Sequence, residues 1–182
     1  MPITRLIIFI FIIFFITALS FIALHTRLFF VEGASMEPTF IEQGFVITNS
    51  LIYRLHTPKR GDSVVFQYPY ATGKKITYNI KRIVGLPNEI ISITGTTVHI
   101  KNTHGEENAL SEPYVQIMGE NRHGSATLSA DEYFMMSDNR SEKADSRTWG
   151  ALKKTFIVGP VIFHSNGKFL YSLFNRLDEL RK

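Results

Sequence analysis

The hydrophobic pattern of the chain begins with an uninterrupted apolar segment. Residues 6–24 contain no charged side chain, and Thr17 and Ser20 are the polar residues among them. As an α-helix this segment is about 28 Å long, which is close to the thickness of the hydrocarbon core of a bilayer. The pattern therefore predicts a transmembrane helix over residues 6–24, within an N-terminal membrane anchor that covers residues 1–27.

A cleaved secretory signal peptide is the alternative interpretation of this segment. Such a peptide has a shorter apolar region, which is followed by a small-x-small cleavage site. Here residues 25–30 follow, with the sequence His-Thr-Arg-Leu-Phe-Phe, so the sequence favours a retained anchor. Arg5 precedes the span and Arg27 follows it, so the positive-inside rule gives only a weak signal for orientation.

After the anchor, residues 28–168 show the short β-rich runs and frequent turns that are typical of a β domain. Alternation is clearest from Lys75 to Val84, where apolar side chains occupy one face and Lys81 lies with polar residues on the other. This period of two predicts a strand that carries Lys81. Further strands are predicted over residues 45–48, 63–66, 132–136 and 156–163.

Turn residues and polar segments divide these strands. Residues 90–93 and 98–101 predict a hairpin around Gly95. Pro160 predicts a bulge or a sheet edge within its strand, because it lacks an amide hydrogen. Residues 102–130 are polar and contain three glycines, so we interpret them as a loop or a small excursion from the sheet.

Residues 169–182 change to a helical pattern with an apolar stripe and charged residues around it. The stripe consists of Leu170, Leu173, Phe174, Leu177 and Leu180. Two interpretations are open, since an amphipathic helix can pack on the domain or lie along the bilayer surface. Together the patterns predict a mostly β protein with one N-terminal transmembrane helix and a C-terminal amphipathic helix.

The composition excludes several classes of chemistry. The 182 residues contain no cysteine, which excludes disulfide bonds, a cysteine nucleophile and thiolate metal sites. The formal net charge is +4, and the lysines and arginines are scattered rather than clustered. We therefore do not expect nucleic-acid binding, although a slightly basic surface suits anionic lipid headgroups.

Ser35 is the first candidate for catalysis. Gly33 and Ala34 before it are small, and Pro38 disfavours a helix at Glu37, so Ser35 lies on a tight and open turn. A nucleophilic serine needs such a turn, because an acyl carbonyl must approach its Oγ closely. Serines in glycine-containing turns are common, so by itself this pattern favours a structural turn.

A serine nucleophile also needs a base. The six histidines lie outside any recognisable triad pattern, although triads are assembled in space rather than along the sequence. Lys81 is the other candidate, because burial among aliphatic side chains lowers the pKa of a lysine. A pKa near 8 leaves roughly 10% of the amine neutral at pH 7, for a loss of about 3 kcal/mol of solvation. Taken alone, Lys81 is more simply interpreted as a solvated strand lysine.

Taken together, four segments of the chain resemble, in the same order, the four sequence boxes of type I signal peptidases. These are the serine proteases of family S26, which use a Ser/Lys dyad. The first box carries Ser35, the third carries Lys81, and the match extends from about residue 30 to about residue 163. Four boxes in order behind a predicted membrane span are far more specific than one box alone. The segments are 33–39, 60–66, 81–87, and 138–140 with 145–150.

The resemblance implies a signal-peptidase-like β domain on the outer face of the bacterial cytoplasmic (inner) membrane. Such enzymes remove signal peptides from exported preproteins after small residues in an Ala-x-Ala-like pattern, and no metal or organic cofactor is expected. Ser35 would attack the scissile carbonyl, and neutral Lys81 would accept its proton and return it to the leaving amine. The Ser35 N–H would stabilise the oxyanion, with Gly33 and Met36 beside it.

The resemblance also assigns polar support to the site. The supporting side chains are Arg82, Asp138, Asn139, Arg140, Asp145, Ser146 and Arg147. Because only ten residues separate Leu24 from Ser35, the nucleophile must lie within about 40 Å of the end of the span. The sequence therefore predicts an active site near the membrane surface.

Three positions depart from the family pattern. Gly33 stands where many members carry a hydroxyl side chain that helps to bind the oxyanion, and Ser137 replaces the glycine that usually opens the last box. Lys143 stands where a serine usually contacts the catalytic lysine. Either Lys143 points to solvent and Ser141 or water fills its place, or Lys143 approaches Lys81 and lowers the pKa of Lys81 by like-charge repulsion.

The sequence leaves three functions open. The first is a general signal peptidase I, and the second is a related peptidase dedicated to a secretion, conjugation or organelle system, which the boxes do not distinguish. The third is a catalytically inactive, membrane-tethered binding module, and the retention of both Ser35 and Lys81 speaks against it. Self-cleaving repressor proteases share the Ser/Lys chemistry, but here a membrane span stands in place of their DNA-binding segment.

Overall fold

The computed structural model describes residues 3–70, 76–120 and 122–179. It begins with helix α1, Ile3–Leu24, which buries none of its side chains against the rest of the protein. The helix has 22 residues and is about 33 Å long, so it has the length and composition to cross a bilayer. Six residues of the predicted anchor, strand and C-terminal helix lie outside the described residues: Met1, Pro2, Lys75, Leu180, Arg181 and Lys182.

Two antiparallel sheets, rich in β-branched and aromatic residues, follow α1. The larger sheet contains β1 (Thr26–Phe30), β2 (Phe45–Asn49), β3 (Ser63–Gln67), β4 (Tyr78–Gly85), β9 (Glu132–Met136), β10 (Leu152–Lys153) and β11 (Ile157–Ser165). The smaller sheet contains β5 (Ile90–Gly95), β6 (Thr97–Lys101), β7 (Glu107–Ala109) and β8 (Arg122–Thr127). The helical segments that follow α1 are α2 (Ile52–Leu55), α3 (Ser146–Trp149), a 3-10 turn (Lys154–Phe156) and α4 (Phe169–Glu179).

Strand β11 joins the two halves of the larger sheet, whose order is β1-β2-β11-β3-β4-β9-β10. Its first half pairs with β3, where Pro160 lies opposite Val64, and its second half pairs with β2, where Val161 lies opposite Thr48. The register shifts on both sides of Pro160. Pro160 therefore lies between two irregularities of register, where β11 changes its partner from β3 to β2, and Pro160 itself pairs on one side only, with β3.

The smaller sheet has the order β7-β6-β5-β8 and contains the predicted hairpin, which β5 and β6 form. Strands β7 and β8 belong to residues 102–130 and extend the two edges of this hairpin. This segment is therefore an excursion that builds a second sheet rather than a loop. Its strand residues are mostly exposed, so the sequence has no apolar alternation there to indicate a strand.

One cluster of the buried core supports the turn that carries the candidate nucleophile. The cluster consists of Val31, Met36, Phe40, Val46 and Val65. Met36 directly follows Ser35 and is 1% exposed. Full burial of an apolar side chain of this size stabilises the fold by about 1.5–3 kcal/mol, so the core holds one end of the turn in place.

The end of α1 is fixed to the larger sheet by hydrogen bonds. The Ser50 N–H donates to His25 O at 3.0 Å, and Asn49 Nδ2 donates to Thr26 Oγ1 at 3.0 Å. Strand β1 starts at Thr26, only two residues after Leu24 ends the helix. The apolar helix therefore continues into the sheet without a flexible linker.

Helix α4 lies against the same strand. The rings of Tyr171 and Phe174 contact Phe30 of β1, with ring centres 5.5 and 4.8 Å apart. Apolar side chains of the predicted stripe remain exposed all the same, including Leu173 at 43% and Leu177 at 52%. The helix thus packs on the domain through two aromatic rings and still presents an apolar surface.

Candidate active site

Ser35 lies on a turn between β1 and β2. Gly33 adopts a φ of 77°, which is a left-handed conformation that glycine tolerates and most residues avoid. The Glu37 N–H donates to Ala34 O at 3.1 Å and closes the turn. Ser35 stays partly exposed, while its neighbour Met36 is buried, so the serine hydroxyl is open to a substrate on a rigid support.

Strand β4 brings Lys81 to this turn. Lys81 lies within the larger sheet, where it pairs with Val64 of β3, and it is 4% exposed. Its Nζ lies 2.6 Å from Ser35 Oγ. The sheet therefore joins the two residues that the sequence indicated separately.

Burial sets the protonation state of Lys81. Desolvation lowers the pKa of Lys81 from 10.5 to about 8, because the ammonium loses its hydration. The carboxylates of Asp145, Glu142 and Asp138 favour the ammonium and oppose this shift, while the guanidinium of Arg147 adds to it. An amine with this pKa is neutral in a useful fraction of molecules near pH 7, so it can accept a proton from a serine hydroxyl.

Asn139 ties the loop after β9 to the turn of Ser35. Its N–H donates to Ser35 O at 3.1 Å, and its Nδ2 donates to Ala34 O at 3.2 Å. The Ser141 hydroxyl in turn donates to Asn139 Oδ1 at 2.6 Å. These bonds fix the backbone of Ala34 and Ser35, so Asn139 supports the site without contacting the Ser35 hydroxyl.

Arg82 and Asp138 form the second support. Arg82 follows Lys81 on β4 and donates to both carboxylate oxygens of Asp138, at 2.7 and 2.5 Å. Asp138 is fully buried and also accepts from the Thr39 hydroxyl at 2.5 Å. The Arg82 guanidinium lies 4.1 Å from the centre of the Tyr114 ring. This pair connects the strand of Lys81 with the far end of the Ser35 turn, because Thr39 belongs to the same segment as Ser35.

Asp145 organises the third support. It accepts from the Ser137 N–H at 2.9 Å and from Arg147 Nε at 2.8 Å. Asp145 is fully buried, and Ser146 beside it accepts from the Met135 N–H at 2.9 Å. The loop is thereby closed onto the end of β9, which also places the Asp145 carboxylate among the charges that act on Lys81.

Arg140 pairs with Glu112, a residue that the sequence did not indicate. Its guanidinium donates to both Glu112 oxygens, and its Nε donates to Ser137 O at 2.9 Å. The Tyr114 hydroxyl donates to Glu112 Oε1 at 2.8 Å. Glu112 lies in a polar segment without periodicity, 28 residues from Arg140, so no local pattern reveals this contact.

Lys143 does not take the role of a charged neighbour of Lys81. Its Nζ pairs with Glu120 Oε2 at 3.2 Å, and its side chain is 59% exposed. The hypothesis that Lys143 lowers the pKa of Lys81 is therefore wrong, because a long solvated side chain gains more from water and a surface carboxylate. Ser141 is not the substitute either, since its hydroxyl is directed to Asn139.

The backbone amides near Ser35 determine where an oxyanion can bind. The Gly33 N–H donates to Glu42 Oε1 at 3.2 Å, so it is engaged within the protein. No acceptor within residues 3–70, 76–120 and 122–179 takes the Ser35 N–H, which leaves this amide for the oxygen of a bound carbonyl. Met36, also expected beside the oxyanion, contributes a buried side chain that fixes the turn.

A groove of about 510 Å³ opens beside Ser35 and Lys81. Residues 28–32 form one wall and residues 76–81 form the other. Strand β1 is an edge strand, and the first residues of β4 pair with β3 on one side only. Both walls thus present backbone groups that an extended peptide can pair with. A separate cavity of about 560 Å³ between the smaller sheet and α3 includes neither residue.

Comparison with known proteins places this geometry in a family. The family model described as "Signal peptidase, peptidase S26" matches residues 3–165. Signal peptidase I of Leptolyngbya laminosa is 30% identical over 156 residues, which cover 83% of this chain and 71% of that protein. Signal peptidase I P of Bacillus subtilis subsp. natto is 35% identical over 130 residues, which cover 64% of this chain and 63% of that protein. The crystal structure of a signal peptidase I from Enterococcus faecalis V583 has a TM-score of 0.46 and 27% identity, and the match covers 58% of this chain and 97% of that chain.

The matched range includes both the turn of Ser35 and the strand of Lys81. The chain spans between 58% and 71% of the length of the first three curated relatives that it matches. The family model covers most of the chain, and the match to the Leptolyngbya laminosa protein covers 83% of it. This chain therefore belongs to the signal peptidase family, peptidase S26.

Proposed function

We propose that this protein is a membrane-bound serine endopeptidase that removes N-terminal signal peptides from exported preproteins. The observation that carries the proposal is the 2.6 Å distance between Ser35 Oγ and Lys81 Nζ, with Lys81 buried on β4. A hydroxyl beside a partly neutral amine is what an acyl-enzyme mechanism requires. Membership of the family and relatives named signal peptidase I support the same activity.

In acylation, Ser35 Oγ attacks the scissile carbonyl carbon while Lys81 Nζ takes the hydroxyl proton. The carbonyl oxygen becomes an oxyanion, to which the Ser35 N–H donates. The C–N bond then breaks as the Lys81 ammonium gives its proton to the leaving amine. In deacylation, neutral Lys81 takes a proton from water, the hydroxide oxygen attacks the ester carbon, and the proton passes to Ser35 Oγ as the ester bond breaks.

The remaining polar residues of the site are assigned to positioning rather than to chemistry. Asn139 holds the backbone of Ser35 and Ala34. The pair of Arg82 and Asp138 holds Thr39, and Asp145 holds the loop that carries Asn139. A small displacement of a nucleophile from its base lowers the reaction rate strongly. These contacts therefore affect the rate although none of them touches the scissile bond.

The groove beside Ser35 supports an extended substrate. A peptide that lies between the edges of β1 and β4 has its side chains alternating between two directions. Two residues that are separated by one position then project to the same side of the groove, which agrees with a small-x-small requirement at the cleavage site. The Ala-x-Ala-like preference itself is carried over from the resemblance to the family.

The enzyme is proposed to reside in the bacterial cytoplasmic membrane, with its catalytic domain on the outer face. Helix α1 supports this placement through its length and composition. The apolar surface of α4 supports it as well, because α4 packs against β1, the strand that leaves α1. We assign the apolar stripe of α4 to the lipid interface, where phospholipid headgroups can meet the basic residues beside the stripe.

The deciding experiment is cleavage of a purified preprotein by the full chain in detergent. We expect Ser35→Ala and Lys81→Ala each to lower the cleavage rate by about 10³-fold or more. Ser92→Ala and Lys143→Ala are matched controls, because they remove a serine and a lysine outside the site. If Ser35→Ala or Lys81→Ala cleaves at the wild-type rate, the proposed mechanism is wrong.

The choice of preprotein distinguishes a general from a dedicated peptidase. A general signal peptidase cleaves several unrelated exported preproteins after their small residues. A peptidase dedicated to a secretion, conjugation or organelle system cleaves one class and leaves the others intact. If the protein is an inactive binding module, it cleaves no preprotein, and the wild type, Ser35→Ala and Lys81→Ala bind preproteins with equal affinity.

A further inference from the structure

One buried group near the base has no role in the mechanism above. Ser137 is fully buried, and its Oγ has no hydrogen-bond partner among the residues that the structure describes. The backbone of the same residue is fully used, since its N–H donates to Asp145 Oδ2 and its C=O accepts from Arg140 Nε, both at 2.9 Å. A buried hydroxyl without a partner is unfavourable, so its presence needs an explanation.

Strand pairing puts this hydroxyl on the same face of the sheet as Lys81. Strands β4 and β9 are antiparallel, and Arg82 lies opposite Met136. One further residue in this register sets Lys81 opposite Ser137. Facing residues of an antiparallel pair project from the same face, with Cβ atoms about 4.5–5.5 Å apart. Two residues later, the Asn139 N–H donates to Ser35 O at 3.1 Å, so Ser137 lies between the strand of the base and the turn of the nucleophile.

The amine of Lys81 needs a second contact that fixes the direction of its lone pair. A neutral lysine amine has one lone pair and two N–H groups, and catalysis needs the lone pair to point at the Ser35 hydroxyl. Ser35 Oγ is the hydrogen-bond partner of Lys81 Nζ in the described part of the chain. A single contact leaves the amine free to rotate about its Cε–Nζ bond, so a second contact is needed to orient the lone pair.

We propose that the Ser137 hydroxyl is the second hydrogen-bond partner of Lys81, accepting one N–H of the amine and directing its lone pair to Ser35. The inference rests on the proposed Ser/Lys mechanism and makes Ser137 a positioning residue. Lys81 and Ser137 are not joined in the structure, so the contact requires a rotamer change at one of them. Staggered rotamers of both side chains are accessible without substrate, so the contact forms in the free protein.

Ser137→Ala tests the proposal, because it removes the hydroxyl and keeps both backbone hydrogen bonds. The charges that act on Lys81 come from Asp145, Glu142, Asp138 and Arg147, and the substitution alters none of them. A hydroxyl that accepts from the amine favours the ammonium. We therefore expect the pKa of Lys81 to fall by about 0.5 unit in Ser137→Ala, and kcat to fall about tenfold with KM unchanged.

Two measurements keep this inference separate from the proposed function. The pKa of Lys81 is read by NMR on protein with carbon-13 at the lysine Cε, with the signal assigned by its loss in Lys81→Ala. Cleavage of a preprotein across pH gives kcat, KM and the acidic limb of the rate profile. If the wild type cleaves nothing, the proposed function fails, and the NMR titration still decides whether Ser137 contacts Lys81.

Thr48→Val is the matched control, because the Thr48 hydroxyl is also buried and donates to Pro160 O at 2.7 Å. We expect it to lower the melting temperature without moving the pKa of Lys81. Removal of a buried hydroxyl that has no partner should raise the melting temperature and leave the pKa of Lys81 unchanged. If Ser137→Ala shows both of these effects, the proposal is overturned. A shifted titration with an unchanged kcat overturns the positioning role.

Discussion

At the residue scale, the burial that suits Lys81 to its proposed role as the base also makes it unfavourable in the folded chain. Its pKa is 10.5 when solvated and about 8 when folded. Between these two values the unfolded chain binds a proton that the folded chain has released, so the free energy of unfolding rises with pH. Below pH 8 both states are protonated, and the folded chain bears the whole penalty of about 3 kcal/mol.

Lys81→Met should therefore stabilise the protein while it abolishes cleavage. We expect the free energy of unfolding at pH 7 to rise by about 2–3 kcal/mol, because the loss of the contact with Ser35 offsets part of the gain. The gain should vanish above pH 10.5, where the lysine is neutral in both states. Denaturation in detergent at several pH values measures this, with Lys143→Met as the exposed control. Destabilisation at pH 7 would contradict the burial argument.

The same pKa determines the pH dependence of cleavage. In the proposed mechanism only neutral Lys81 accepts the Ser35 proton, so kcat/KM should rise with pH and level off above about pH 8. Glu142→Gln removes a carboxylate that favours the ammonium, so it should move this limb to lower pH by a few tenths of a unit, roughly. Glu120→Gln is the control, because Glu120 pairs with the exposed Lys143. If Glu142→Gln leaves the pH profile of kcat/KM unchanged, the Glu142 carboxylate does not influence the pKa of Lys81.

At the scale of elements, the loop after β9 is held by ion pairs to other parts of the fold. Asp138 reaches Arg82 on β4, and Arg140 reaches Glu112 in the segment before β8. The segment over residues 102–130, which the sequence predicted to be a loop or a small excursion, thus supports the loop after β9. Its contribution passes through Arg140 to Asn139, the residue directly before it, which holds the backbone of Ser35.

Glu112→Ala should destabilise the fold much more than Glu120→Ala, which removes a carboxylate from an exposed ion pair. The side chains of Arg140 and Glu112 are 5% and 9% exposed, so the substitution leaves a buried guanidinium without its carboxylate. We expect a loss of about 3–5 kcal/mol in the free energy of unfolding, together with slower cleavage.

The control for this prediction is Glu120→Ala, which breaks the exposed pair with Lys143. It should change the free energy of unfolding by about 0–1 kcal/mol. Chemical denaturation of the two variants compares them directly, and equal effects would mean that the Glu112 pair does not support the loop.

The sequence predicted the site better than its surroundings, for physical reasons. The turn of Ser35 and the strand of Lys81 follow local rules of small residues, proline and alternation, and the structure places the two side chains 2.6 Å apart. Glu112 was missed because an ion pair across distant segments leaves no periodic trace. The sequence left two directions open for Lys143, because sequence position does not indicate which way a long polar side chain points, and the structure shows the one that points to solvent.

At the scale of the whole molecule, the anchor, the groove and α4 lie on connected elements. Strand β1 follows α1 directly, lines the groove and contacts α4 through Phe30. The apolar surface of α4 lies next to β1, the strand that follows the candidate membrane span. On the proposed function, this side of the domain is the one that faces the lipid.

This arrangement predicts contact between α4 and lipid. The chain contains no cysteine, so Leu173→Cys introduces a single site for a polarity-sensitive fluorophore in nanodiscs. We expect blue-shifted emission that nitroxide-labelled lipids quench, because Leu173 belongs to the apolar stripe. Ser172→Cys, on the polar side of the helix, should remain unquenched. Equal quenching at the two positions would show that the stripe does not lie in the interface.

The short joint between α1 and β1 has a consequence for which peptide bond is cut. Hydrogen bonds from Ser50 and Asn49 hold this joint, so on the proposed function the nucleophile stands at a set height above the bilayer. A preprotein whose own apolar segment is embedded in the same bilayer presents only the residues at that height. The enzyme then selects the cleavage site by its distance from the membrane as well as by its small side chains. A matching pattern at the right distance from the membrane is cut, and an identical pattern further out is spared.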